Sequence, residues 1–241
     1  MINAAAMKPF GAAIKDFYAG DNTAEVKIYR DDGIVSVMAI SAFFRSATDF
    51  QLDRVLLDNC RGRVLDVGAG AGIHSQYLQS KGFSVCAMDV SPEACEVMRK
   101  RGVKEVRCAS FTDFIAEPFD TLLILGRSIC MVETLAGLDD FLRDAHRLVE
   151  SGGQILLNSL DVSKTTNPEN LAYHEANRRA GRYIGEIRLH MEYKGIKGPV
   201  TGLLHVDANT LTEHAAKVGW LSEVLLQEKD GNYAIMLTNK N

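Results

Sequence analysis

The sequence predicts an α/β fold, a doubly wound, mainly parallel sheet of seven strands with helices on both faces. Two observations support this prediction. Short apolar runs alternate with amphipathic stretches through the middle of the chain, as in successive βαβ units. Near the C-terminal end, Leu221–Gln227 and Tyr233–Thr238 flank Asp230-Gly231, which predicts an antiparallel strand pair at the edge of this Rossmann-like sheet.

The composition is that of an ordinary globular protein. Hydrophobic residues make up 46% of the 241 residues and charged residues 24%, which excludes disordered, collagen-like and membrane classes. A net charge of −4 provides no general attraction to nucleic acid, so no nucleic-acid partner is expected. The longest apolar run, Ile34–Phe44, is shorter than the ~20 residues of a membrane span. Five cysteines without a C-x-x-C pair, and no export signal, predict a cytoplasmic protein.

The segment 61–161 contains five runs that we interpret as buried strands of a cofactor-binding core. The helix between the second and third runs is clearly delimited, because Ser91 is an N-cap residue, Pro92 suits the first helical position and Gly102 suits the C-terminal end. The predicted strands are Arg63–Val67, Ser84–Val90, Val103–Ala109, Phe119–Leu125 and Gln154–Leu160.

The segments on either side of the core are predicted to cover the ligand crevice. Residues 1–60 are expected to form a helical cap with helices at Ile34–Phe44 and Phe50–Cys60. Tyr29, Arg30 and the pair Phe44-Arg45 are candidate residues of this lid, and Arg45 suits either a carboxylate or an ordinary surface position.

After the core, residues 162–208 are expected to form an inserted substrate lid. It consists of a helix at Pro168–Arg182 and a β-hairpin of Glu186–Tyr193 with Val200–Val206. Residues 209–241 supply a helix and the final strand pair. We find no linker or repeat, so the sequence predicts one domain spanning residues 1–241.

A glycine-rich turn follows the first core strand. In Val64-Leu-Asp66-Val-Gly68-Ala69-Gly70-Ala-Gly72 the strand leads into this turn and then into a helix, where open α/β sheets bind ligands. The dinucleotide fingerprint G-x-G-x-x-G would need glycine at Ile73. Asp66 would repel a pyrophosphate but would help to position the cationic amino-acid end of a sulfonium cofactor. These residues argue against NAD.

An acidic residue, Asp89, ends the second core strand. It lies close to the spacing at which a carboxylate accepts hydrogen bonds from a ribose diol. Together with the glycine turn, Asp89 predicts an adenosine-containing ligand.

These motifs give the stretch from Arg63 to Asp161 a resemblance to the core of the class I S-adenosylmethionine-dependent methyltransferases. The glycine turn resembles their first motif, and Asp89-Val-Ser-Pro-Glu93 resembles their second. Glu150-Ser-Gly-Gly-Gln-Ile-Leu-Leu157 is similar to the approach to their fifth strand. The resemblance implies S-adenosylmethionine as cofactor and methyl transfer as reaction.

The resemblance also implies roles for individual residues. Gly68, Ala69 and Gly70 would pass under the methionine part, Asp89 would hold the ribose, and Val90 would flank the adenine. Ser110 stands where the family often has an acid at the adenine. Asp66, argued from its charge, and His74, at a helix N-terminus that favours the cofactor carboxylate, are further candidates. The full set of candidate cofactor-binding residues is Asp66, Gly68, Ala69, Gly70, Ile73, His74, Asp89, Val90, Ser110, Phe111, Leu125, Gly126 and Arg127.

The acceptor is less defined by the sequence. The Asn/Asp-Pro-Pro-Tyr version of the family motif is absent at Leu125-Gly126-Arg127, which disfavours DNA bases and glutamine. Methyl transfer is an in-line displacement to which a protein contributes chiefly proximity and desolvation, and a base is needed only when the nucleophile must lose a proton. The candidate catalytic residues are His174, His190, His205 and Arg127, although each histidine suits a packing role as well.

Three functions therefore stay open at this point. A methyltransferase acting on a small molecule is favoured over an NAD(P)-dependent oxidoreductase and over a catalytically silent fold that binds the cofactor or a partner protein. The basic run from Arg178 to Lys197 suits a solvated face better than an anionic ligand. No metal site is expected, and the sequence does not predict an oligomeric state.

Overall fold

The computed structural model describes residues 1–240, so residue 241 of the predicted domain lies outside the described part. Short 3-10 helices span Ile40–Phe43, Ser128–Val132 and Val162–Lys164. The elements in chain order are α1 (Ala4–Tyr18), β1 (Glu25–Arg30), β2 (Val35–Ala39), α2 (Gln51–Asp58), β3 (Arg63–Val67), α3 (Ile73–Ser80), β4 (Ser84–Asp89), α4 (Pro92–Lys100), β5 (Glu105–Cys108), β6 (Phe119–Ile124), α5 (Leu135–Ala145), β7 (Val149–Leu160), α6 (Pro168–Arg179), β8 (Glu186–Tyr193), β9 (Ile196–Lys197), β10 (Thr201–Leu204), α7 (Ala208–Lys217), β11 (Trp220–Gln227) and β12 (Asn232–Asn239).

The larger sheet has seven strands in the order β11-β12-β7-β6-β3-β4-β5. Strands β3 to β7 pair in parallel, whereas β12 pairs antiparallel with both β7 and β11. Val64 to Val67 are all buried, as expected for a parallel strand covered on both faces. This confirms the predicted fold class, and the antiparallel strand pair lies at the expected side with β11 as the edge.

The strand order reverses at β3. This strand pairs with β4 on one side and with β6 on the other, through neighbours such as Leu65 with Cys86 and Leu65 with Leu122. The chain leaves β3 and β6 toward opposite sides at their carboxyl ends, which opens a crevice there. The glycine turn after β3 lies at this switch point.

The smaller sheet is antiparallel, in the order β10-β8-β1-β2, with β9 pairing with β8. The inserted strands β8 and β10 confirm the predicted hairpin segments. Strand β8 also pairs with β1, for example Met191 with Ile28, so the N-terminal segment and the insertion share one sheet. Helix α1 packs against β8 of this sheet and against α4 of the larger α/β unit, and so connects the two.

The predicted helix at Ile34–Phe44 is wrong. Val35–Ala39 form strand β2, and only Ile40–Phe43 are helical, as one 3-10 turn. Strand β2 pairs with β1, which places Met38 opposite Val26. The apolar run therefore forms the second strand of a hairpin with β1, and pairing of β1 with the distant strand β8 builds this hairpin into a sheet. The other predicted N-terminal helix is confirmed as α2, while α1 and β1 were not predicted. Among residues 1–240, no helix is long and apolar enough to cross a membrane.

Candidate functional site

The glycine turn after β3 has a backbone that side chains rarely adopt. Gly68, Gly70 and Gly72 have φ angles of 70°, 58° and 78°, in the left-handed region that favours glycine. A Cβ on Gly72 would lie 2.9 Å from Cγ of Met98, so this glycine is required by packing against α4. A Cβ on Gly70 would have as its nearest neighbour Cδ1 of the Phe43 ring, at 3.8 Å. Gly70 thus leaves a free concave surface that a Cβ would fill.

Asp89 connects the end of β4 to this turn. Its Oδ2 accepts a hydrogen bond from the N–H of Gly70 at 2.9 Å, and its Oδ1 accepts one from the N–H of Ser91 at 2.8 Å. The side chain is 5% exposed, and this burial raises the pKa of Asp89 above the usual range of an aspartate. The carboxylate is therefore held in a fixed orientation at the carboxyl edge of the sheet.

Two cavities meet at the glycine turn. The inner cavity, about 240 Å³, lies between the two sheets, and the outer cavity, about 450 Å³, lies beside α2 and the β11–β12 turn. Both are lined by Phe43, Gly68, Gly70, Gly126 and Ser128. One elongated ligand would therefore occupy both cavities by crossing this shared set of small residues.

The inner cavity contains the residues predicted to contact the nucleoside. Asp89, Val90, Ser110 and Phe111 all line it. The acid that the family often has at position 110 is absent, but the Ser110 hydroxyl donates a hydrogen bond to Oδ2 of Asp113 at 2.6 Å. A carboxylate is thus present beside Ser110, contributed by a residue three positions further along the chain.

At one end of the outer cavity, Arg45, Asp53 and His74 form a polar cluster. The Arg45 guanidinium donates a hydrogen bond to Oδ2 of Asp53, and Nε2 of His74 lies 3.4 Å from the same oxygen. Asp53 is 2% exposed. Burial alone would raise the pKa of Asp53, but the hydrogen bonds and charges of His74 and Arg45 outweigh it and lower that pKa below its usual range.

Arg127 lies at the other end of the outer cavity, after β6. Its φ of 59° is unusual for a residue with a side chain and costs on the order of 1 kcal/mol. Two asparagines hold it there. The Arg127 N–H donates to Oδ1 of Asn158 at 2.9 Å, and its Nε and Nη2 donate to Oδ1 of Asn232 at 3.1 and 2.5 Å. Glu228 and Asp230, in the turn between β11 and β12, line the same region.

The sequence did not identify these four neighbours of Arg127 as site residues. They come from the end of β7 and from the final hairpin, far from Arg127 in the chain. The Asp230-Gly231 turn was visible in the sequence, but its position over the cavity follows from the antiparallel pairing of β12 with β7.

The three candidate histidines do not line these two cavities. On β8, His190 alternates with Leu189 and Met191, which line the inner cavity, so His190 faces the other side and stacks on Tyr29 at 4.9 Å. His174 is buried on α6, and this burial lowers its pKa. Burial and the nearby Arg127 lower the pKa of His205 to about 4.

Three other predicted features also lie away from the cavities. Asp66 is 1% exposed and accepts a hydrogen bond from the Ser75 hydroxyl at 2.6 Å, so it fastens α3 to β3. Arg30, a lid candidate, pairs with Asp32. The basic run is partly neutralised, since Arg178 and Arg179 pair with Glu175 and Lys194 with Asp16 and Asp21.

The remaining predicted cofactor residues lie at the cavities. Ile73, His74, Leu125, Gly126 and Arg127 line the outer cavity together with Gly68, Ala69 and Gly70. Within residues 1–240 we find no group of three or more His, Cys, Asp or Glu side chains that could hold a metal ion.

Known proteins share this architecture. A family model described as a methyltransferase domain matches residues 65–157. A crystal structure of a SAM-dependent methyltransferase from Bacteroides fragilis, in complex with S-adenosyl-L-homocysteine, is 31% identical over 100% of this chain and 98% of that chain, with a TM-score of 0.86. A SAM-dependent methyltransferase from Methanosarcina mazei is 15% identical, covers 77% of this chain and 96% of its own, and shares the fold with a TM-score of 0.59.

Curated relatives match over a shorter region. The ubiquinone biosynthesis O-methyltransferase of Xanthomonas oryzae pv. oryzae (strain PXO99A) is 32% identical over 113 residues, which is 44% of this chain and 46% of that protein. The chain therefore spans about half the length of the curated relatives that it matches.

Fold and site define a Rossmann-like α/β protein with a glycine turn and an acidic residue at the switch point of its sheet. The chain belongs to the class I S-adenosylmethionine-dependent methyltransferases. This membership confirms the predicted family, fold class and type of enzyme, and it does not favour the oxidoreductase or the silent fold.

Proposed function

We propose that the protein transfers the methyl group of S-adenosylmethionine to a small-molecule acceptor bound between the two sheets. The observation that carries this proposal is the junction of the two cavities at Gly68, Gly70, Gly126 and Ser128. A cofactor with a nucleoside at one end and an amino acid at the other matches a junction that has Asp89 on one side and Arg45 on the other.

The fit of the nucleoside end rests on the inner cavity. The fixed Asp89 carboxylate suits two ribose hydroxyls, because a charged acceptor makes stronger hydrogen bonds than a neutral one. We assign the adenine to the space beside Val90 and Phe111, with Ser110 and Asp113 near its polar edge.

The fit of the amino-acid end rests on the outer cavity. Gly68 and Gly70 allow a ligand to approach the backbone closely, and a Cβ at Gly70 would project into that space. Arg45 lines this cavity, and its planar guanidinium suits a carboxylate. Asp53 and His74 hold the Arg45 side chain in place, so we treat them as positioning residues.

When bound, the cofactor supplies a sulfonium methyl group that a nucleophile takes by in-line displacement. The chain contributes orientation and exclusion of water, because the smaller sheet and α1 cover the inner cavity. Among the residues that line this cavity, Asp89 is already hydrogen-bonded, and burial raises the pKa of the Cys130 thiol to about 11. Neither group is a suitable base, so we expect the rate to follow the ionisation of the acceptor itself.

Arg127 is the candidate that we retain for a direct part in the reaction. It lines the outer cavity next to Gly126, where both cavities meet. A guanidinium beside this junction would stabilise the negative charge that an acceptor bound in its uncharged form develops on its nucleophilic atom as it loses its proton. The cytoplasmic location, the single domain and the absence of nucleic-acid partners stay predictions.

Calorimetric titration tests this proposal. We expect S-adenosylhomocysteine to bind with micromolar affinity and NADH to bind negligibly. Tighter binding of NADH would overturn the proposal. Release of S-adenosylhomocysteine from S-adenosylmethionine in the presence of an acceptor, followed by mass spectrometry of the methylated product, tests turnover, and a panel of phenols, amines and thiols covers the main nucleophiles.

A further inference from the structure

The inner cavity concentrates one residue type. Six of the eight methionines of the chain line it. They come from the N-terminal segment, from both sheets and from the loop after β6. The six are Met1, Met7, Met38, Met88, Met131 and Met191.

The roof of this cavity is separate from the surface that we assign to the nucleoside. Met38, Met191 and Ile28 lie on the inner face of the smaller sheet, where Ile28 pairs with Met191 and the strands alternate faces. Asp89 and Phe111 lie on the opposite side, at the carboxyl edge of the larger sheet. The roof residues also lie outside residues 65–157, the part matched by the family model. The roof is therefore the part of the inner cavity where residues particular to this chain would contact the acceptor.

The charged groups at the inner cavity disfavour acceptors that bind as ions, since the N-terminal ammonium of Met1 already pairs with Glu133. Asp89 is the only charged side chain among the residues that line the inner cavity, and two backbone N–H groups already occupy it. An anionic or cationic acceptor would lose its hydration without gaining a counter-charge, which is costly in a buried site. Uncharged acceptors incur no such penalty.

Methionine adds a preference for aromatic rings. Its thioether is polarisable, contacts the edge of an aromatic ring favourably and adapts to ligands of different outline. Aliphatic roof residues such as Leu203 would provide apolar area without this contact. A roof with methionines on the two strands that flank β1 thus favours a flat aromatic ligand over a saturated one of equal size.

We infer that the acceptors of this enzyme are uncharged aromatic molecules, held against Met38 and Met191 on the roof of the inner cavity. This inference rests on the proposed function, since it takes the floor of the same cavity for the nucleoside of the cofactor.

Binding measurements test the inference without knowledge of the natural acceptor. The protein is saturated with S-adenosylhomocysteine and titrated calorimetrically with 2-naphthol, with 2-naphthoate and with decahydro-2-naphthol. We expect 2-naphthol to bind best, 2-naphthoate to bind at least about 10-fold more weakly because its charge is buried unpaired, and decahydro-2-naphthol to bind more weakly than 2-naphthol. Equal or tighter binding of 2-naphthoate would overturn the inference.

Two variants isolate the sulfur atom. Met191→Leu conserves volume, and we expect it to weaken 2-naphthol binding by about 2- to 10-fold while leaving decahydro-2-naphthol unchanged. Met236→Leu, a methionine on β12 outside the inner cavity, is the matched control and should change neither. Equal losses for both ligands in Met191→Leu would refute the aromatic preference.

The same titrations distinguish failure of this inference from failure of the proposed function. If S-adenosylhomocysteine binds but 2-naphthol does not, only the inference is overturned. If S-adenosylhomocysteine does not bind, the proposed function fails.

Discussion

The carboxylate of Asp89 accepts a hydrogen bond from the N–H of Gly70 at 2.9 Å, across 19 residues of chain. This bond ties the end of β4 to the turn after β3, so the acid and the glycine turn form one rigid unit. Because the N–H of Ser91 binds the other carboxylate oxygen, the orientation of Asp89 is fixed without any ligand. A preorganised acceptor of this kind avoids part of the ordering cost of binding.

Asp89→Asn should weaken S-adenosylhomocysteine binding by about 10- to 100-fold, the effect of removing hydrogen bonds to a charged group. The amide has one acceptor oxygen, whereas two backbone N–H groups and the ligand compete for it. Calorimetry measures the loss, and Asp58→Asn, at an exposed acid of α2, is the control. An unchanged affinity in Asp89→Asn would show that the ribose lies elsewhere.

Arg45→Gln should separate the two ends of the cofactor. We expect S-adenosylhomocysteine affinity to fall by about 10-fold or more, because a charge-assisted bond to a carboxylate is lost. Methylthioadenosine lacks the amino-acid end, so its affinity should not change. Asp89→Asn, by contrast, should weaken both ligands. Equal losses for both ligands in Arg45→Gln would place Arg45 away from the carboxylate. A lower melting temperature is also expected, because Asp53 loses a partner while buried.

Gly70→Ala should mainly reduce cofactor binding, whereas Gly72→Ala should mainly reduce stability. Both add a side chain at a positive φ, which costs on the order of 1 kcal/mol. At Gly72 the new Cβ would also meet Met98 at 2.9 Å and Val103 at 3.0 Å, which adds roughly 1 to 3 kcal/mol of overpacking. Gly72→Ala should therefore unfold at lower denaturant concentration than Gly70→Ala. Only Gly70→Ala should lose cofactor affinity, by about 10-fold. A larger loss of affinity in Gly72→Ala than in Gly70→Ala would contradict the placement of the turn.

His205 should make the protein acid-sensitive. Its pKa in the folded protein is about 4, below the 6.5 of an unperturbed histidine, because of burial and the charge of Arg127. The unfolded chain thus binds the proton more readily, so stability from this residue is complete above pH 6.5 and is lost as the pH falls toward 4. The loss amounts to on the order of 2 to 3 kcal/mol.

Urea titrations of the wild type and of His205→Gln at several pH values check this prediction. As the pH decreases, the free energy of unfolding of the wild type should fall more steeply than that of His205→Gln, because the variant has no imidazole to protonate. A difference that does not depend on pH would mean that His205 titrates normally.

The geometry of the glycine turn and the position of Asp89 could be predicted from the sequence because their determinants are local. The glycine turn needs glycine at three positions with positive φ, and Asp89 follows directly from the end of β4. The carboxyl ends of neighbouring parallel strands lie at one edge of the sheet, so Asp89 and the turn had to be close.

Predictions failed where distant segments decide. Ile34–Phe44 was expected to be helical, but Val35–Ala39 pair with β1, and the pairing of β1 with the distant strand β8 makes this run part of the smaller sheet. His190 stays a candidate base, but its side chain could not be placed from the sequence, because the pairing of β8 fixes which alternate residues face the inner cavity, and those are Leu189 and Met191. A sequence gives the alternation but not which face is buried.

By itself, the sequence determined the parallel core, the glycine turn, the acid that follows it and the family of the enzyme. These features depend on short-range backbone geometry and on hydrophobic patterns of adjacent elements. Only the tertiary structure decided that the N-terminal strands and the inserted hairpin form one sheet, that its methionines roof a cavity, and that Asn158 and Asn232 hold Arg127. Each of these depends on contacts between segments far apart in the chain, whose pairing follows from the packing of the whole fold.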